Sequence, residues 1–155
     1  MHDRRHVTLL YAEDNPDHAQ LVVRCLRKHC GDDAVIRLVN DGQAALDYLL
    51  RRGEYRDPRN SPRPRVVLLD LRLPKRDGLD VLRTVKETPS LSDIPVVVLT
   101  SSEAPGDVVE AYESHANSFL VKPVAFEQFS RMMKNLCSYW LCWNCAADNG
   151  GSRTA

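Results

Sequence analysis

Glu13, Asp14, Asp70, Thr100 and Lys122 share one property: each stands where a run of apolar residues stops. Asp70 is the plainest case. Val66-Val67-Leu68-Leu69 precede it, four aliphatics of which two are β-branched, and such a run suits a strand buried on both faces. A strand that dry has no interior use for a carboxylate. Asp70 therefore belongs at its C-terminal mouth, the edge at which open α/β sheets bind ligands. Taken alone, Asp70 is equally well explained as the cap of a following helix, because Leu71-Arg72-Leu73-Pro74-Lys75-Arg76-Asp77-Gly78 reads as a turn. The other runs decide between the two. Val7–Ala12 stops on Glu13-Asp14, Ile94-Pro95-Val96-Val97-Val98-Leu99 on Thr100, and Ser118-Phe119-Leu120-Val121 on Lys122. Three carboxylates, a hydroxyl and an ammonium then meet at one rim. Carboxylates that close repel unless a cation sits among them. Hard oxygen donors on a small open site suit Mg²⁺, which keeps several waters. A lysine beside them adds a second positive charge, and Thr100 adds a donor. Such a site is built to hold a tetrahedral dianion attached to a carboxylate, that is, an acyl phosphate.

The elements that must position these residues alternate along the chain. After the first strand, Asn15-Pro16-Asp17 caps and opens a helix in which Leu21, Val22, Cys25, Leu26 and His29 recur at helical spacing. Ala34–Val39 is the next strand, and Asn40-Asp41-Gly42 turns into a helix carrying Ala44, Ala45, Leu46, Leu49 and Leu50. Residues 53–64 are rich in Gly, Pro, Asn and Arg and predict a long surface loop. Helices are expected from about 79 to 88 and from 105 to about 115. A last helix has Phe126, Phe129, Met133, Leu136, Cys137 and Trp140 on one face. Five alternations of strand and helix predict an α/β fold, a doubly wound five-stranded parallel sheet of the flavodoxin-like type. Residues 1–143 are expected to form a single domain and 144–155, with Asn-Gly-Gly-Ser, a disordered tail.

Bulk properties exclude several classes. The 21 Lys and Arg balance the 21 Asp and Glu, so nothing draws the chain as a whole to nucleic acid or to an anionic membrane. No apolar run approaches the roughly 18 residues that span a bilayer. His2-Asp3-Arg4-Arg5-His6 leads into a strand that Glu13 and Asp14 cut short, which is not a secretory signal. Five Cys, an odd number without framework spacing, predict reduced thiols and a cytoplasmic protein. Cys142-Trp143-Asn144-Cys145 has CxxC spacing but no second pair and no nearby His pair, so free thiols are expected there rather than a zinc site. The five His are expected away from the rim, His115 in a structural role. Arg51, Arg52, Arg56, Arg59, Arg63 and Arg65 read as a solvated face.

Over about residues 7–136 the chain resembles the receiver domain of two-component response regulators, the CheY-like fold. Glu13-Asp14-Asn15, Leu69-Asp70-Leu71-Arg72-Leu73-Pro74 with Asp77-Gly78, Leu99-Thr100-Ser101 and Phe119-Leu120-Val121-Lys122-Pro123 carry the resemblance. It implies that Asp70 accepts phosphate from the phosphohistidine of a sensor histidine kinase. Mg²⁺ would be held by Asp14, Asp70 and the backbone carbonyl of Arg72, with Glu13 bound through water. Lys122, the Thr100 hydroxyl and the backbone N–H of Ser101 would hold the phosphoryl group. The resemblance also implies a cis peptide before Pro123, and a switch in which Thr100 moves toward phosphate while Phe119 turns inward. Ser101 stands where Ala or Gly is more usual, and Phe119 lacks the hydroxyl of a Tyr. The long loop, Ser138-Tyr139-Trp140-Leu141 and His115-Ala116-Asn117-Ser118-Phe119 are similar to the stand-alone regulators of bacterial and cyanobacterial phytochrome kinases. The basic loop would then help docking to an acidic kinase surface.

Two other functions fit the same sandwich less well. An aspartyl-phosphate phosphohydrolase commonly carries a second acid two residues after its nucleophile, and that position is Arg72. A flavodoxin-like FMN carrier needs a Ser-, Thr- and Gly-rich phosphate loop after the first strand, where an acid pair would repel the phosphate. The expected role is a phosphoacceptor rather than an enzyme, with no nucleic-acid or membrane partner. Met132, Tyr139, Leu141 and Trp143 add apolar surface at other angles of the last helix. A homodimer is therefore expected, with Met132, Tyr139, Trp140, Leu141 and Trp143 at its interface.

Overall fold

Val66, Val67, Leu68 and Leu69 are shut off from solvent, as a strand flanked on both sides and covered on both faces must be. The structure, a computed structural model, describes residues 7–31 and 34–147. Five strands alternate with five helices: β1 (Val7–Ala12), α1 (Pro16–Cys30), β2 (Ala34–Val39), α2 (Gly42–Leu50), β3 (Val66–Leu69), α3 (Gly78–Glu87), β4 (Val96–Thr100), α4 (Pro105–Glu113), β5 (Ser118–Val121) and α5 (Phe126–Leu136). The sheet is parallel throughout, in the order β2-β1-β3-β4-β5. The direction of winding reverses between β1 and β3, and the crevice outside such a reversal is where open α/β sheets bind ligands.

Alternation along each strand divides the core in two. Leu10, Ala12, Val67, Leu69, Val96 and Val98 face α2 and α3, while Leu9, Tyr11, Val66, Leu68, Val97 and Leu99 face α1 and α5. A one-residue slip of any strand would exchange these sets, so the register is tightly specified. It pairs Ala12 with Leu69, Leu69 with Val98, and Thr100 with Val121.

Local signals place the helices. The Asn15 side chain accepts from the N–H groups of Asp17 (3.0 Å) and His18 (3.2 Å), with Pro16 at the first helical position. Asp41 caps α2 through the N–H of Ala44 at 2.7 Å. The long loop is better tied down than its composition suggests. It holds a short 3₁₀ turn (Gly53–Tyr55), and Tyr48 donates its hydroxyl to Pro62 O at 2.8 Å. Buried Ser61 donates to Tyr55 O at 2.8 Å. The arginines here are only partly a solvated face: Arg63 pairs with Asp93 at 2.7 Å, and Arg65 donates to Leu141 O at 3.1 Å. His115, at φ 70°, occupies the turn leaving α4, consistent with a structural role.

The C-terminal end departs from expectation. Beyond α5 the chain continues as a π-helix, Cys137–Trp143. Its i→i+5 bonding widens the turn, so the apolar stripe changes phase. Leu141 is carried inward and is only 7% exposed, packed with Met133, Leu136 and Cys137. Its expected place on an exposed dimer surface is thus corrected. Trp140 is displaced to the margin of that core, and Tyr139 and Trp143 face solvent. Phe126, expected on the covering stripe, lies in the first turn of α5 and is 62% exposed.

The cysteines are the second correction. Cys30, at the end of α1, and Cys137 form a disulfide, while Cys25, Cys142 and Cys145 are free. The partners are 107 residues apart and meet only because α1 packs against α5. The CxxC pair is free, as expected. Residues 144–147 carry no regular structure, and the rest of the expected tail, 148–155, lies outside the described residues, as do His2 to His6. No helix among the described residues is long and apolar enough to cross a membrane.

Candidate functional site

Three hydrogen bonds of the sheet ladder run one residue past the strands and land on the chemistry. Glu13 N–H donates to Val39 O at 3.0 Å, Asp70 N–H to Ala12 O at 3.1 Å, and Lys122 N–H to Thr100 O at 2.8 Å. Main-chain positions of the site are thereby set by the sheet rather than by loops. The chain then turns so sharply after Asp70 that α3 begins against it. Gly78 N–H donates to Leu71 O at 3.0 Å, and a Cβ on Gly78 would lie 2.3 Å from Asp70 O. Only glycine fits that approach.

Side chains from four strand ends converge as the sequence predicts. Asp70 Oδ2 accepts from Lys122 Nζ at 3.1 Å, and Asp70 Oδ1 from the Arg72 N–H at 3.0 Å and the Thr100 hydroxyl at 3.4 Å. Lys122 Nζ also donates to Glu13 Oε1, and Tyr11 donates its hydroxyl to the same oxygen at 3.3 Å. Glu13, Asp70 and Thr100 are all buried. Asp14, by contrast, is exposed, and with Glu13, Asn15, His18, Asp70, Arg72, Thr100, Ser101 and Ser102 it lines an open cleft of about 390 Å³.

The electrostatics follow from burial. Desolvation pushes the Glu13 carboxyl above its usual range, the neighbouring Asp70 adds to the rise, and Lys122 opposes it. Burial, reinforced by Glu13 and Asp70, pushes the Tyr11 phenol up as well. Lys122 is thus the cation that two buried carboxylates share. Among the described residues no three His, Cys, Asp or Glu side chains are gathered in chelating geometry. The donors are nevertheless the right kind for a hard divalent ion. Three carboxylates at the cleft offer oxygen only, and Mg²⁺ is commonly held by one or two of them with waters completing its shell.

Phe119 is partly buried and packs against the core on the α2 and α3 side. The Lys122–Pro123 bond is trans, not the cis bond the resemblance implies. An X–Pro bond favours trans by roughly 0.5–1 kcal/mol, and Lys122 reaches both carboxylates without a cis turn.

His18 corrects the expectation that no histidine reaches the rim: its Nδ1 lies 3.2 Å from Lys122 Nζ and 3.6 Å from Glu13 Oε1. The available signal was position. His18 sits in the first turn of the helix that follows Glu13-Asp14, and that turn opens onto the same edge. Ser102 and Asp107 were also missed. The Ser102 hydroxyl donates to Asp107 Oδ2, which Arg72 Nη2 reaches at 3.0 Å.

Comparison with known proteins bears on this site. The family model described as a response regulator receiver domain matches residues 9–134. FilR2 of Methanothrix harundinacea, a probable methanogenesis regulatory protein, is 46% identical over 137 residues, covering 88% of this chain and 84% of its own. Response regulator Rcp1 of Synechocystis is 41% identical over 133 residues, covering 86% and 88%. The crystal structure of Mn²⁺-bound Rcp1 superimposes with a TM-score of 0.83 at 39% identity, over 91% of this chain and 99% of that one. Phosphorylated RcpA, a cyanobacterial phytochrome response regulator, gives a TM-score of 0.84 at 34% identity, over 91% and 98%.

Proposed function

The chain belongs to the response regulator receiver domains, phosphoacceptor modules that work with histidine kinases, and within that family we propose that Asp70 is the phosphoacceptor. The observation that carries the assignment is the Asp70 carboxylate itself. It lies at the floor of a cleft with the Lys122 ammonium on one oxygen and the Thr100 hydroxyl on the other. An Asp70 oxygen attacks the phosphorus of a phosphorylated imidazole. The P–O bond forms as the P–N bond breaks, and the electron pair leaves on the imidazole nitrogen. Lys122 then pairs with the phosphoryl charge, and Thr100 with the Ser101 N–H donates to its oxygens. Mg²⁺, held by Asp14, Asp70 and the Arg72 carbonyl, with Glu13 through water, would neutralise charge on the phosphoryl oxygens. The domain spans residues 1–143. It acts as a phosphoacceptor that assists its own phosphorylation and dephosphorylation, with Thr100 and Phe119 passing the change to a protein partner.

We propose a cytoplasmic protein served by a sensor kinase of the phytochrome type, supported by the likeness to RcpA, a phytochrome response regulator, over 98% of its length. Incubation with acetyl phosphate and Mg²⁺ tests the acceptor: wild type should carry one base-labile phosphoryl group, and Asp70→Asn none. Full labelling of Asp70→Asn would overturn the assignment. A phosphotransfer screen against phosphorylated histidine kinases tests the partner.

A second copy of the chain is the partner proposed for the C-terminal face. Tyr139 and Trp143 are 55% and 80% exposed, and Tyr139 stacks edge-on against Trp140 at 4.9 Å. Met132, Tyr139 and Trp140 also line a groove of about 590 Å³ beside the β5 edge. Light scattering of the Tyr139→Ser, Trp143→Ser double variant should show a monomer where wild type is a dimer; equal monomer masses at micromolar concentration would refute the dimer.

A further inference from the structure

Hydrogen bonds around Asp70 close into a circuit that leaves the sheet and returns to it. Asp70 Oδ1 accepts from the Thr100 hydroxyl at 3.4 Å, and the Thr100 oxygen accepts from the Ser102 N–H at 3.3 Å. The Ser102 hydroxyl donates to Asp107 Oδ2, in the first turn of α4. That oxygen also takes Arg72 Nη2 at 3.0 Å, and the Arg72 N–H donates back to Asp70 Oδ1 at 3.0 Å. Arg72 belongs to the turn after β3 and Ser102 to the loop after β4, and both line the cleft above Asp70. Asp107 does not line it. It joins the two flanks from outside, and its side chain is mostly buried between them.

From this circuit we infer that Asp107 is a positioning residue for the phosphoryl chemistry, clipping the β4–α4 loop to the turn after Asp70 and so governing how freely small molecules reach the carboxylate. The inference rests on Asp70 being the phosphoacceptor. Both bonds into Asp107 are charge-assisted, which makes the clip stronger than an ordinary surface contact. The Arg72 arm is largely exposed and contributes little alone, whereas the Ser102 arm is half-buried. Opening the clip frees Ser102 and, through its N–H, the Thr100 hydroxyl. Water and a small phosphodonor enter by the same mouth. Phosphorylation by acetyl phosphate and hydrolysis of the acyl phosphate must therefore accelerate together, and a clip that only stabilises the fold would not couple them.

The test compares wild type, Asp107→Ala, Asp107→Asn, Arg72→Ala and the Arg72→Ala, Asp107→Ala double variant. Labelling by acetyl phosphate and decay after its removal are both followed. Asp107→Ala should raise both rates by about three- to tenfold, the scale of one ordinary net hydrogen bond. Asp107→Asn, which keeps the shape and an acceptor for Ser102, should fall between; it also carries the test should the alanine variant fail to fold. The double variant should match Asp107→Ala, because both changes open the same clip. Labelled wild type with unchanged rates in both Asp107 variants overturns the inference, as do a rise in only one rate or rates in the double variant well above those of Asp107→Ala. Wild type that takes no label at Asp70 overturns the acceptor assignment instead.

Discussion

Lys122 Nζ lies 3.1 Å from Asp70 Oδ2 while also donating to Glu13, and only 7% of the lysine side chain is exposed. One ammonium thus serves two buried carboxylates, and among the described residues no other lysine or arginine pairs with either; His18 lies 3.6 Å from Glu13 only. Lys122→Met should destabilise the protein by about 3–5 kcal/mol, the scale of breaking a buried pair from one side. Added Mg²⁺ should restore part of that loss, because a divalent ion can take over the neutralisation. Denaturant unfolding with and without Mg²⁺ checks this; a variant as stable as wild type in metal-free buffer would contradict it.

Gly78 sets the distance between α3 and the phosphoacceptor. Its missing Cβ would sit 2.3 Å from Asp70 O and 2.6 Å from Leu71 Cα, both backbone atoms that cannot swing aside. Gly78→Ala should lower stability by roughly 1–3 kcal/mol through overpacking. It should also slow labelling of Asp70, since the turn that carries Arg72 has to move. Unaltered labelling kinetics would show that the turn absorbs the methyl group elsewhere.

Leu141 and Trp143 lie two residues apart yet belong to different surfaces. Leu141→Ala empties a site packed by Met133, Leu136 and Cys137, and should lower stability by about 2–5 kcal/mol. Trp143→Ser should leave the stability of the monomer, measured below the concentration at which copies associate, within about 0.5 kcal/mol, as expected of a position exposed on the single chain. Thermal melts of the two variants separate them, and similar losses in both would mean that the π-helix does not set the phase described above.

The Cys30–Cys137 bond closes a loop of 107 residues. Reduction should therefore release denatured-state entropy and lower stability by about 2–5 kcal/mol. Unfolding in the presence and absence of a dithiol reductant measures it directly, with Cys137→Ser as the control that should no longer respond.

The sequence was most legible where a parallel sheet buries both faces. Such strands appear as unbroken apolar runs, so the residue that ends each run is conspicuous, and Glu13, Asp70, Thr100 and Lys122 could be read as one rim before any fold was known. What escaped depended on directions that a one-dimensional pattern does not carry. His18 reaches Lys122 because of where the first turn of α1 points. Cys30 finds Cys137 only through the packing of α1 on α5. Leu141 turns into the core rather than onto the surface because the helix widens after Leu136, and nothing in the spacing of apolar residues announces a π turn. The trans bond at Pro123 differs from an expectation that came from resemblance alone.

The three ladder bonds that extend past the strands have a consequence for amide hydrogen exchange. Residues that do chemistry commonly sit on the least protected parts of a protein, where local opening is easy. Here the N–H groups of Glu13, Asp70 and Lys122 are each held by a neighbouring strand's carbonyl. Their protons should exchange on the timescale of global unfolding, together with those of β3, whereas the N–H of Ser101, one residue beyond β4, should exchange much faster. Chemistry would then be confined to the most persistent part of the molecule, and only the segments that close over it would open and shut.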